Sequence, residues 1–383
     1  MAAAASAHPA ARAGRRPSLR VLIVNPFGIG DVLFTTPLLR ALRQAFPGAY
    51  LGYLCNRRTE PILRNNSALD ELFVYEKDEL RQLSRQSAWR GLRSLLGLLR
   101  RIRRARFDMM VDLSLGERYA LVLGALGIRR RVGFNYRRRG RFLTERLPIE
   151  GYHDRHVVEY YQQLLAFLGI TMRQAVLELR VSDEDARWAQ RWLDEHRFGA
   201  GRPLIGLVPA GGVSWGIDAP FRRWSSEGFA AVGDVLAQRY GARLILFGER
   251  TDRPICEAVN RGMRQPCLDV SGQTTLGQFV SLLSRLDLVI CNDGGPLHLA
   301  VSQRVKTVSI FGPVDPWVYG PYPTNPTRHR VIMDEALPCR PCYHQFRLPP
   351  CPYERACLTH IKPEAVVEAC AALLEQGAAA AHG

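Results

Sequence analysis

The sequence lacks any long apolar run and any recognisable export signal. Nowhere do about 18 uncharged apolar residues follow one another, so we expect no membrane-spanning helix. Residues 1–18 are rich in Ala, Arg and Pro without the apolar core of a secretion signal, and we expect a flexible tail there. With no export signal, the nine cysteines predict a reducing compartment, the cytoplasm, in which thiols stay free or bind metal.

Lysine is scarce as well. Only Lys77, Lys306 and Lys362 are lysines among the 52 basic residues, which outnumber 36 acidic ones and give a formal charge of +16. Genome composition also produces an arginine bias of this kind, so only part of the charge is a functional signal. That part favours an acidic partner such as nucleic acid, anionic lipid or a phosphorylated substrate.

The chain is about two domains long, and its 47% hydrophobic content is enough for packed cores. Short Val- and Ile-rich runs alternate with helical periodicity in two series, beginning near Arg20 and Arg202. Such alternation predicts parallel sheets covered on both faces, here as two Rossmann-like α/β domains. The expected divisions are a tail (1–18), an N-terminal domain (19–190), a C-terminal domain (191–362), and a last helix and tail (363–383) that could pack back on the N-terminal domain.

A glycine-containing turn, Gly28-Ile29-Gly30-Asp31, follows the first predicted strand. Ligands bind at this end of the strands in open α/β sheets. Two interpretations of Asp31 stay open: a general base that removes the proton of an acceptor hydroxyl, or a cap for the next helix. Leu33 occupies the third glycine position of G-x-G-x-x-G, and a carboxylate repels a diphosphate, so a nicotinamide dinucleotide site is disfavoured.

The segment from Asn292 to His298 predicts an anion site. Gly294 and Gly295 let a phosphate approach the backbone, and the following helix directs its free amides and positive dipole end toward it. Asp293 either accepts hydrogen bonds from sugar hydroxyls, orients His298, or caps the helix. In the last case His298 is a core-facing polar residue.

Taken together, these segments resemble glycosyltransferase family 9, the heptosyltransferases of lipopolysaccharide core synthesis. The resemblance runs in order over residues 20–368 and rests on Gly30-Asp31-Val32-Leu33 with Thr36-Pro37-Leu38-Leu39, on Asn292 to Ala300, and on Phe311-Gly312-Pro313 with Asp315-Pro316. It implies a GT-B fold, with the acceptor on the N-terminal half and the nucleotide sugar on the C-terminal half of a cleft. It also implies an inverting reaction that requires no cofactor or divalent metal, with Asp31 as the base.

The same resemblance implies donor-binding residues in the C-terminal half. Gly211 and Gly212 match the loop that meets the donor, and Arg222 matches a family lysine that contacts the donor phosphates. Arginine keeps the charge but presents a planar fork of donors. Glu249 or Asp252 matches the acidic residue that holds the nucleoside, and the sequence leaves both open.

The motif residues complete the expected donor site, namely Asp293, Gly294, Gly295, Leu297 and His298. The family often has Ser or Thr directly after the motif aspartate. This chain has Gly294, so backbone amides must replace the missing hydroxyl. For the acceptor we expect contacts from Gly28 and Gly30 and from three arginines that suit an acidic sugar lipid, Arg57, Arg58 and Arg137.

The arginine-rich segment from Trp89 to Arg106 predicts an amphipathic helix. It is either an ordinary crossover helix with a solvated basic face or a helix that lies on anionic lipid.

Four cysteines close in sequence begin with a C-x2-C pair: Cys339, Cys342, Cys351 and Cys357. Their spacing fits a structural zinc site of four thiolates, or reduced thiols that pack a proline-rich loop. His153 and His156 form an H-x2-H pair with no third ligand nearby, and we interpret them as residues at a helix start.

We therefore predict transfer of a heptose-like sugar from an ADP-sugar to a lipopolysaccharide inner-core acceptor, in the cytoplasm at the inner face of the membrane. One alternative is a member of the same family that uses another nucleotide sugar for a different glycan or protein. A second alternative is a non-catalytic nucleic-acid-binding protein, suggested only by charge, since no helix-turn-helix, zinc-finger or RNP-like signature is present.

Overall fold

Two parallel sheets of six strands each organise the chain. The computed structural model describes residues 18–76, 88–198, 201–211 and 216–380. All of the predicted tail except Ser18 lies outside the described residues, and so does Gly212. Within the described ranges, no helix combines the length and the apolar character that crossing a bilayer requires.

The N-terminal domain has strand order β3-β2-β1-β4-β5-β6, and all neighbours are parallel. Its strands are β1 (Arg20–Val24), β2 (Tyr50–Cys55), β3 (Glu71–Val74), β4 (Met109–Asp112), β5 (Arg130–Tyr136) and β6 (Glu145–Ile149). Its helices are α1 (Ile29–Leu33), α2 (Thr36–Ala45), α3 (Glu60–Leu63), α4 (Ala88–Ala105), α5 (Arg118–Ala125) and α6 (Val157–Phe167).

Helix α7 (Asp183–Glu195) leads into the second sheet, whose order is β12-β11-β10-β7-β8-β9. Its strands are β7 (Leu204–Val208), β8 (Arg243–Leu246), β9 (Cys267–Asp269), β10 (Leu288–Asn292), β11 (Lys306–Ile310) and β12 (His329–Ile332). Its helices are α8 (Ser226–Tyr240), α9 (Arg253–Gly262), α10 (Leu276–Leu283), α11 (Gly295–Ser302), α12 (Pro316–Tyr319), α13 (Ala356–Thr359) and α14 (Pro363–Ala380), with short 3-10 helices at Gly216–Arg222 and Arg250–Asp252.

The central strands are buried on both faces because helices cover both sides of each sheet. In β1, Val21 and Ile23 pack into the core on one face, and Leu22 and Val24 into the core on the other. This alternation follows from the two-residue period of a strand. Continuous apolar runs at the sheet centres therefore confirm the predicted pair of Rossmann-like α/β domains.

In both sheets, the order in which strands are added reverses beside the first strand. This reversal of strand order fixes where a ligand can bind. The chain moves outward from β1 to β3 and then returns to place β4 on the other side of β1. The second sheet does the same at β7 and β10. Loops diverge at such a reversal and leave a crevice outside the carboxyl ends of the strands.

The predicted helix after β1 is two helices. The Thr35 backbone N–H and hydroxyl both donate to the Val32 carbonyl, at 3.0 and 2.7 Å, which closes α1. Pro37 then stands at the start of α2, where its missing N–H costs nothing. The break leaves α1 as a short helix directly above the end of β1.

Two element positions bear on the predicted domain limits. The predicted boundary at residue 190 lies inside α7, which runs unbroken from Asp183 to Glu195 and packs against α10 of the second domain. Helix α14 packs against α8 and the strands β10 to β12 of the C-terminal domain. Its apolar residues Val366, Cys370 and Leu373 belong to the C-terminal core.

Candidate active site

The turn after β1 is held by two asparagine side chains, of which Asn25 is buried and Asn56 is partly exposed. Asn25 is fully buried, its side-chain oxygen accepts from the Phe27 N–H at 3.1 Å, and its amide donates to the Asp31 carbonyl at 3.2 Å. Asn56, after β2, donates to the Pro26 carbonyl at 3.0 Å. The turn that carries Asp31 is therefore braced by the ends of two neighbouring strands.

The two interpretations of Asp31 are compatible. One carboxylate oxygen, Oδ2, accepts from the Gly28 N–H at 3.1 Å, so the residue does close the start of α1. Among the described residues, no other residue is seen to donate to the second oxygen, Oδ1. Gly28 thus serves the turn through its backbone, and half of the Asp31 carboxylate is left for an acceptor.

In the second domain, the loops after β7 and β10 pack against each other. Gly211 has φ +73° and Gly294 has φ +152°, conformations that favour glycine. A Cβ at Gly294 would lie 2.2 Å from the Gly211 carbonyl oxygen, and one at Gly211 would lie 3.2 Å from the Asp293 carbonyl oxygen. Two predicted donor residues therefore meet at the reversal point of the second sheet.

Asn292 ties these loops to Arg222. Its side-chain oxygen accepts from the Trp224 N–H at 2.9 Å, and its amide donates to the Pro209 carbonyl. The fully buried asparagine therefore joins the end of β10 to the segment that carries Arg222, two residues before Trp224. We did not assign Asn292 to the site from the sequence, although it opens the motif.

Arg222 and Asp293 form a buried ion pair. The Arg222 Nε and Nη2 lie 2.9 and 2.6 Å from Asp293 Oδ2, and the side chains are 12% and 2% exposed. Because its carboxylate binds Arg222 and the cap position of α11 belongs to Gly294, the capping interpretation of Asp293 is wrong. Its other oxygen, Oδ1, is buried without a hydrogen-bond partner in the described part of the chain.

Arg222 also acts on Asp31, across the cleft. Burial raises the pKa of the Asp31 carboxyl to about 6, and the backbone N–H of Gly28 and the positive charge of Arg222 oppose that rise. Burial also raises the pKa of Asp293, with Arg222 opposing it. One guanidinium thus lies close to two carboxylates that come from different domains.

His298 packs across the cleft onto α1. A Cβ on Gly30 would lie 2.8 Å from His298 Cδ2, and the imidazole meets the Phe34 ring edge-on at 4.5 Å. Burial lowers the pKa of His298 to about 3, with His156 and Arg222 acting in the same direction, so the ring is neutral near pH 7. Its Nδ1 has no hydrogen-bond partner among the described residues, so Asp293 does not orient it by a hydrogen bond.

His156 confirms the helix-start interpretation and adds a contact between domains. Its Nδ1 accepts from the Val158 N–H at 3.2 Å at the start of α6, so its Nε2 carries the proton that it donates to the Gly320 carbonyl at 3.1 Å. The ring stacks on Tyr322 at 4.3 Å. Burial lowers the pKa of His156 to about 4, which keeps the ring neutral.

The structure separates the two acidic residues after β8. Asp252 is buried, where it accepts from the Glu249 N–H at 3.0 Å and lies 3.9 Å from the Arg223 guanidinium. Glu249 is half exposed and faces Arg58 of the other domain at 3.7 Å. Of these two residues, Glu249 is the one with its carboxylate at the cleft. It lies opposite Arg58, a residue predicted to bind the acceptor.

The other predicted acceptor arginines already have protein partners. Arg57 donates to Glu60 at 3.2 Å, and Arg137 donates to the Gln345 side chain at 2.7 Å. Gln345 belongs to a turn of the C-terminal region, residues 343–347, which reaches the N-terminal domain. The Tyr136 hydroxyl also donates to the Gln345 carbonyl, at 3.0 Å.

The 343–347 turn brings a tyrosine to the cleft that sequence reasoning missed. Burial raises the pKa of Tyr343 to about 12, the carboxylates of Asp31 and Asp293 add to the rise, and Arg222 opposes it. Tyr343 therefore lies near all three charged groups of the site. No motif in the sequence marks it, because it lies within the cysteine-rich segment, directly after Cys342, and reaches the cleft only through the fold.

Leu297 lies in the core rather than in the donor site. Its side chain is fully buried, and its backbone N–H donates to the Gly294 carbonyl at 3.1 Å. Pro296 has no N–H, so the amides of Gly294 and Gly295 remain as the donors at the start of α11. The anion site predicted from the sequence would accordingly have fewer backbone amides than a full helix start.

The four cysteines of the predicted zinc site lie in a loop and at its border with the core. They are free thiols, and the described residues contain no group of three or more His, Cys, Asp or Glu side chains that could hold a metal. Cys357 instead packs into the C-terminal core, and Cys351 Sγ accepts from the Arg355 N–H at 3.4 Å. Two of the thiols thus have a packing or hydrogen-bond contact within the chain, and the zinc site stays a prediction.

We expect Gly294→Ala to weaken donor binding and to lower the melting temperature. The new Cβ overlaps the Gly211 carbonyl, and the backbone must also hold an unfavourable φ, at a cost of about 1–3 kcal/mol. Differential scanning fluorimetry with and without nucleotide measures both effects. Gly127→Ala is the matched control, since Gly127 has φ +102° but open space around it. Equal nucleotide-induced shifts in the two variants would contradict the assignment of the Gly211–Gly294 contact to the donor site.

Known proteins resemble this chain in sequence. The profile of glycosyltransferase family 9 (heptosyltransferase) matches residues 95–347. The sequence is 24% identical over 318 residues to lipopolysaccharide heptosyltransferase 3 of Escherichia coli K12, covering 79% of this chain and 88% of that protein.

Solved structures share the fold along nearly the whole chain. A glycosyl transferase family 9 protein from Veillonella parvula DSM 2008 superposes with a TM-score of 0.77 and 26% identity, covering 95% of this chain and all of that one. The E. coli ADP-heptose lps heptosyltransferase II superposes with a TM-score of 0.72 and 23% identity, covering 94% and 99%. The predicted GT-B arrangement of two facing domains is confirmed.

Proposed function

The chain belongs to glycosyltransferase family 9, and from that premise we propose that it transfers a heptose-like sugar from an ADP-sugar to a lipopolysaccharide inner-core acceptor. The names of the relatives supply the sugar and the acceptor class. Membership in an enzyme family counts against the alternative of a non-catalytic nucleic-acid-binding protein. A family member with another nucleotide sugar and acceptor remains the second candidate.

One observation carries the mechanism: the helix that contains Asp31 meets the helix that follows Asp293, since a Cβ on Gly30 would lie 2.8 Å from His298 Cδ2, and Asp293 is paired with Arg222. In our proposal, Asp31 Oδ1 takes the proton of the acceptor hydroxyl. At the same time, the oxygen of that hydroxyl attacks the anomeric carbon of the donor sugar. The bond from that carbon to the diphosphate breaks on the opposite face, and its electron pair leaves with the nucleoside diphosphate. Attack opposite to the leaving group inverts the anomeric centre.

The departing diphosphate needs positive charge, and the site supplies it without a metal ion. The Arg222 guanidinium carries positive charge beside Asp293, and the amides of Gly294 and Gly295 lie at the start of α11. Fixed donors of this kind act where charge accumulates in the transition state. We therefore propose that the reaction needs no divalent cation.

Glu249 is the better candidate for the nucleoside contact. It is half exposed at the end of β8, whereas the Asp252 carboxylate is buried and engaged by the Glu249 N–H. A carboxylate accepts from two vicinal ribose hydroxyls, which suits a site beyond the diphosphate. Binding of a nucleoside would compete with the Arg58 contact to Glu249.

A thermal-shift panel of ADP-, UDP- and GDP-sugars tests the donor. A ligand stabilises the folded state according to its concentration over its dissociation constant, and we expect the ADP-sugar to raise the melting temperature by about 3 °C near 100-fold saturation. Glu249→Gln should reduce this shift without changing the melting temperature of the free protein. Asp252→Ala is the contrast, since it should lower the melting temperature itself. A larger shift with a UDP- or GDP-sugar would replace the ADP proposal with the second candidate.

A further inference from the structure

Helix α4 exposes large apolar side chains on the face that turns away from its sheet. Ile102 and Ala105 pack into the core beneath the helix. Trp89 is 75% exposed and Leu92 is 45% exposed. Such side chains normally pack inward, so two on the outer face of one helix indicate a surface that something covers.

Arginines share this outer face. With 3.6 residues per turn, positions 4, 11, 14 and 15 residues after Trp89 fall on its side of the helix. All four are exposed arginines without an ion-pair partner among the described residues: Arg93, Arg100, Arg103 and Arg104. Arg101 differs, because it donates to Glu71 at 2.8 Å. Helix α4 contains no acidic residue.

Helix α5 repeats the pattern beside α4. Leu121 and Val122 are 49% and 42% exposed, and the exposed Arg118 lies one turn before them. On its inner side, α5 packs Ala120 and Leu123 into the same core as α4, so both helices cover one face of the N-terminal sheet. The docking surface is therefore Trp89, Leu92, Leu121 and Val122 with the five arginines Arg93, Arg100, Arg103, Arg104 and Arg118.

The topology places the apolar part of this surface at the catalytic edge. Helix α4 runs from the carboxyl end of β3 back to the start of β4, so Trp89 and Leu92 stand near the edge where the strands end. Helix α5 begins just after β4 ends, so Leu121 and Val122 stand near that edge too. Asp31 follows β1 at this same edge.

We propose that this docking surface binds an anionic lipid bilayer, with the four apolar side chains inserted in the head-group region. A helix with arginines around an apolar Trp–Leu tip has the character of helices that lie in a membrane interface. Anionic head groups supply the opposite charge that α4 lacks. A second copy of the chain fits poorly, because the surface would meet its own positive charge. The inference rests on the proposed function only in that a lipid-linked acceptor would bring its sugar to the Asp31 edge.

Vesicle co-sedimentation of the full chain tests the proposal without donor or acceptor. We expect binding to phosphatidylcholine vesicles that contain about 30% phosphatidylglycerol, little binding to pure phosphatidylcholine, and release at high salt. Changing Arg93, Arg100, Arg103 and Arg104 to Gln should weaken the apparent affinity about 10-fold or more. Changing Trp89, Leu92, Leu121 and Val122 to Ser should also reduce binding, with an unchanged melting temperature.

A matched control separates this surface from the general basicity of the chain. Changing four exposed arginines of the C-terminal domain to Gln, Arg239, Arg253, Arg261 and Arg264, should leave vesicle binding as in wild type. Equal losses in the two arginine sets would overturn the proposal. Wild-type protein that stays in the supernatant would also overturn the proposal. So would an oligomer, seen in equilibrium sedimentation, that dissociates only when the α4 and α5 residues are substituted.

Activity assays distinguish this inference from the proposed function. The docking variants should transfer sugar normally to a delipidated core oligosaccharide and about 10-fold more slowly to acceptor embedded in anionic vesicles. Equal rates on embedded acceptor would overturn the docking surface while leaving the transferase intact. Vesicle binding by a chain that transfers no sugar would leave the docking surface and remove the proposed function.

Discussion

Asp31→Ala is expected to lower kcat by about 100-fold or more while leaving donor affinity nearly unchanged. The carboxylate acts on the acceptor hydroxyl, and the donor contacts come from the other domain. Single-turnover assays at saturating donor, together with a nucleotide thermal shift, separate the two quantities. Collapse of donor affinity with a matching fall in melting temperature would instead make Asp31 a structural cap, since its Oδ2 also closes α1.

The acid side of the pH profile carries the signature of the same group. A base must be ionised, and the pKa of Asp31 is raised to about 6, so the active form is lost as the pH falls through about 6. We expect kcat to fall about tenfold per pH unit below that value and to level off above about 7. The residual activity of Asp31→Ala should no longer fall on the acid side of the pH profile. If that fall persists after the substitution, it belongs to the ionisation of another group.

Arg222→Met is expected to abolish donor binding and to destabilise the fold. It leaves the Asp293 carboxylate buried and unpaired, and breaking a buried pair in this way costs about 3–5 kcal/mol. Urea unfolding measures this change in the free energy of unfolding. The double variant Arg222→Met, Asp293→Asn removes the stranded charge and should recover most of the stability without recovering transfer.

Arg64→Met provides the control for that pair. Arg64 contacts Glu60 at 3.2 Å on the surface, and an exposed pair contributes only about 0–1 kcal/mol. If Arg222→Met were no more costly than this control, the pair would not be buried as described. If the double variant kept full transfer, Arg222 would not be the group that stabilises the diphosphate.

The central strands could be predicted because burial on both faces leaves a continuous apolar run, as in β1, β7 and β10. The sequence pattern does not identify the edge strands β3, β6, β9 and β12, nor the internal strand β5, for the opposite reason. They are only partly buried, and β6 contains Pro148, which an edge tolerates and a central strand does not. Sequence patterning thus located the two reversal points, which are central, better than the limits of the sheets.

Some residues of the site could be predicted from the local sequence, whereas others depend on contacts between distant segments. Asp31, Gly211 and Gly294 lie close after strands, so local sequence patterns predict their positions. The pairing of Arg222 with Asp293, 71 residues away, depends on how the sheet is ordered. The choice between Glu249 and Asp252 is a matter of burial, which one sequence does not encode locally.

The 343–347 turn has a consequence for the order of events during synthesis. Phe346 meets the rings of Tyr136 and Tyr152 edge-on at 5.4 and 5.5 Å, and Gln345 accepts the Tyr136 hydroxyl. A nascent chain that has not yet released these residues from the ribosome leaves the two tyrosines uncovered. Domains commonly fold one after another from the N-terminus during translation. Here the packing of the first domain is completed only after every strand of the second domain has emerged.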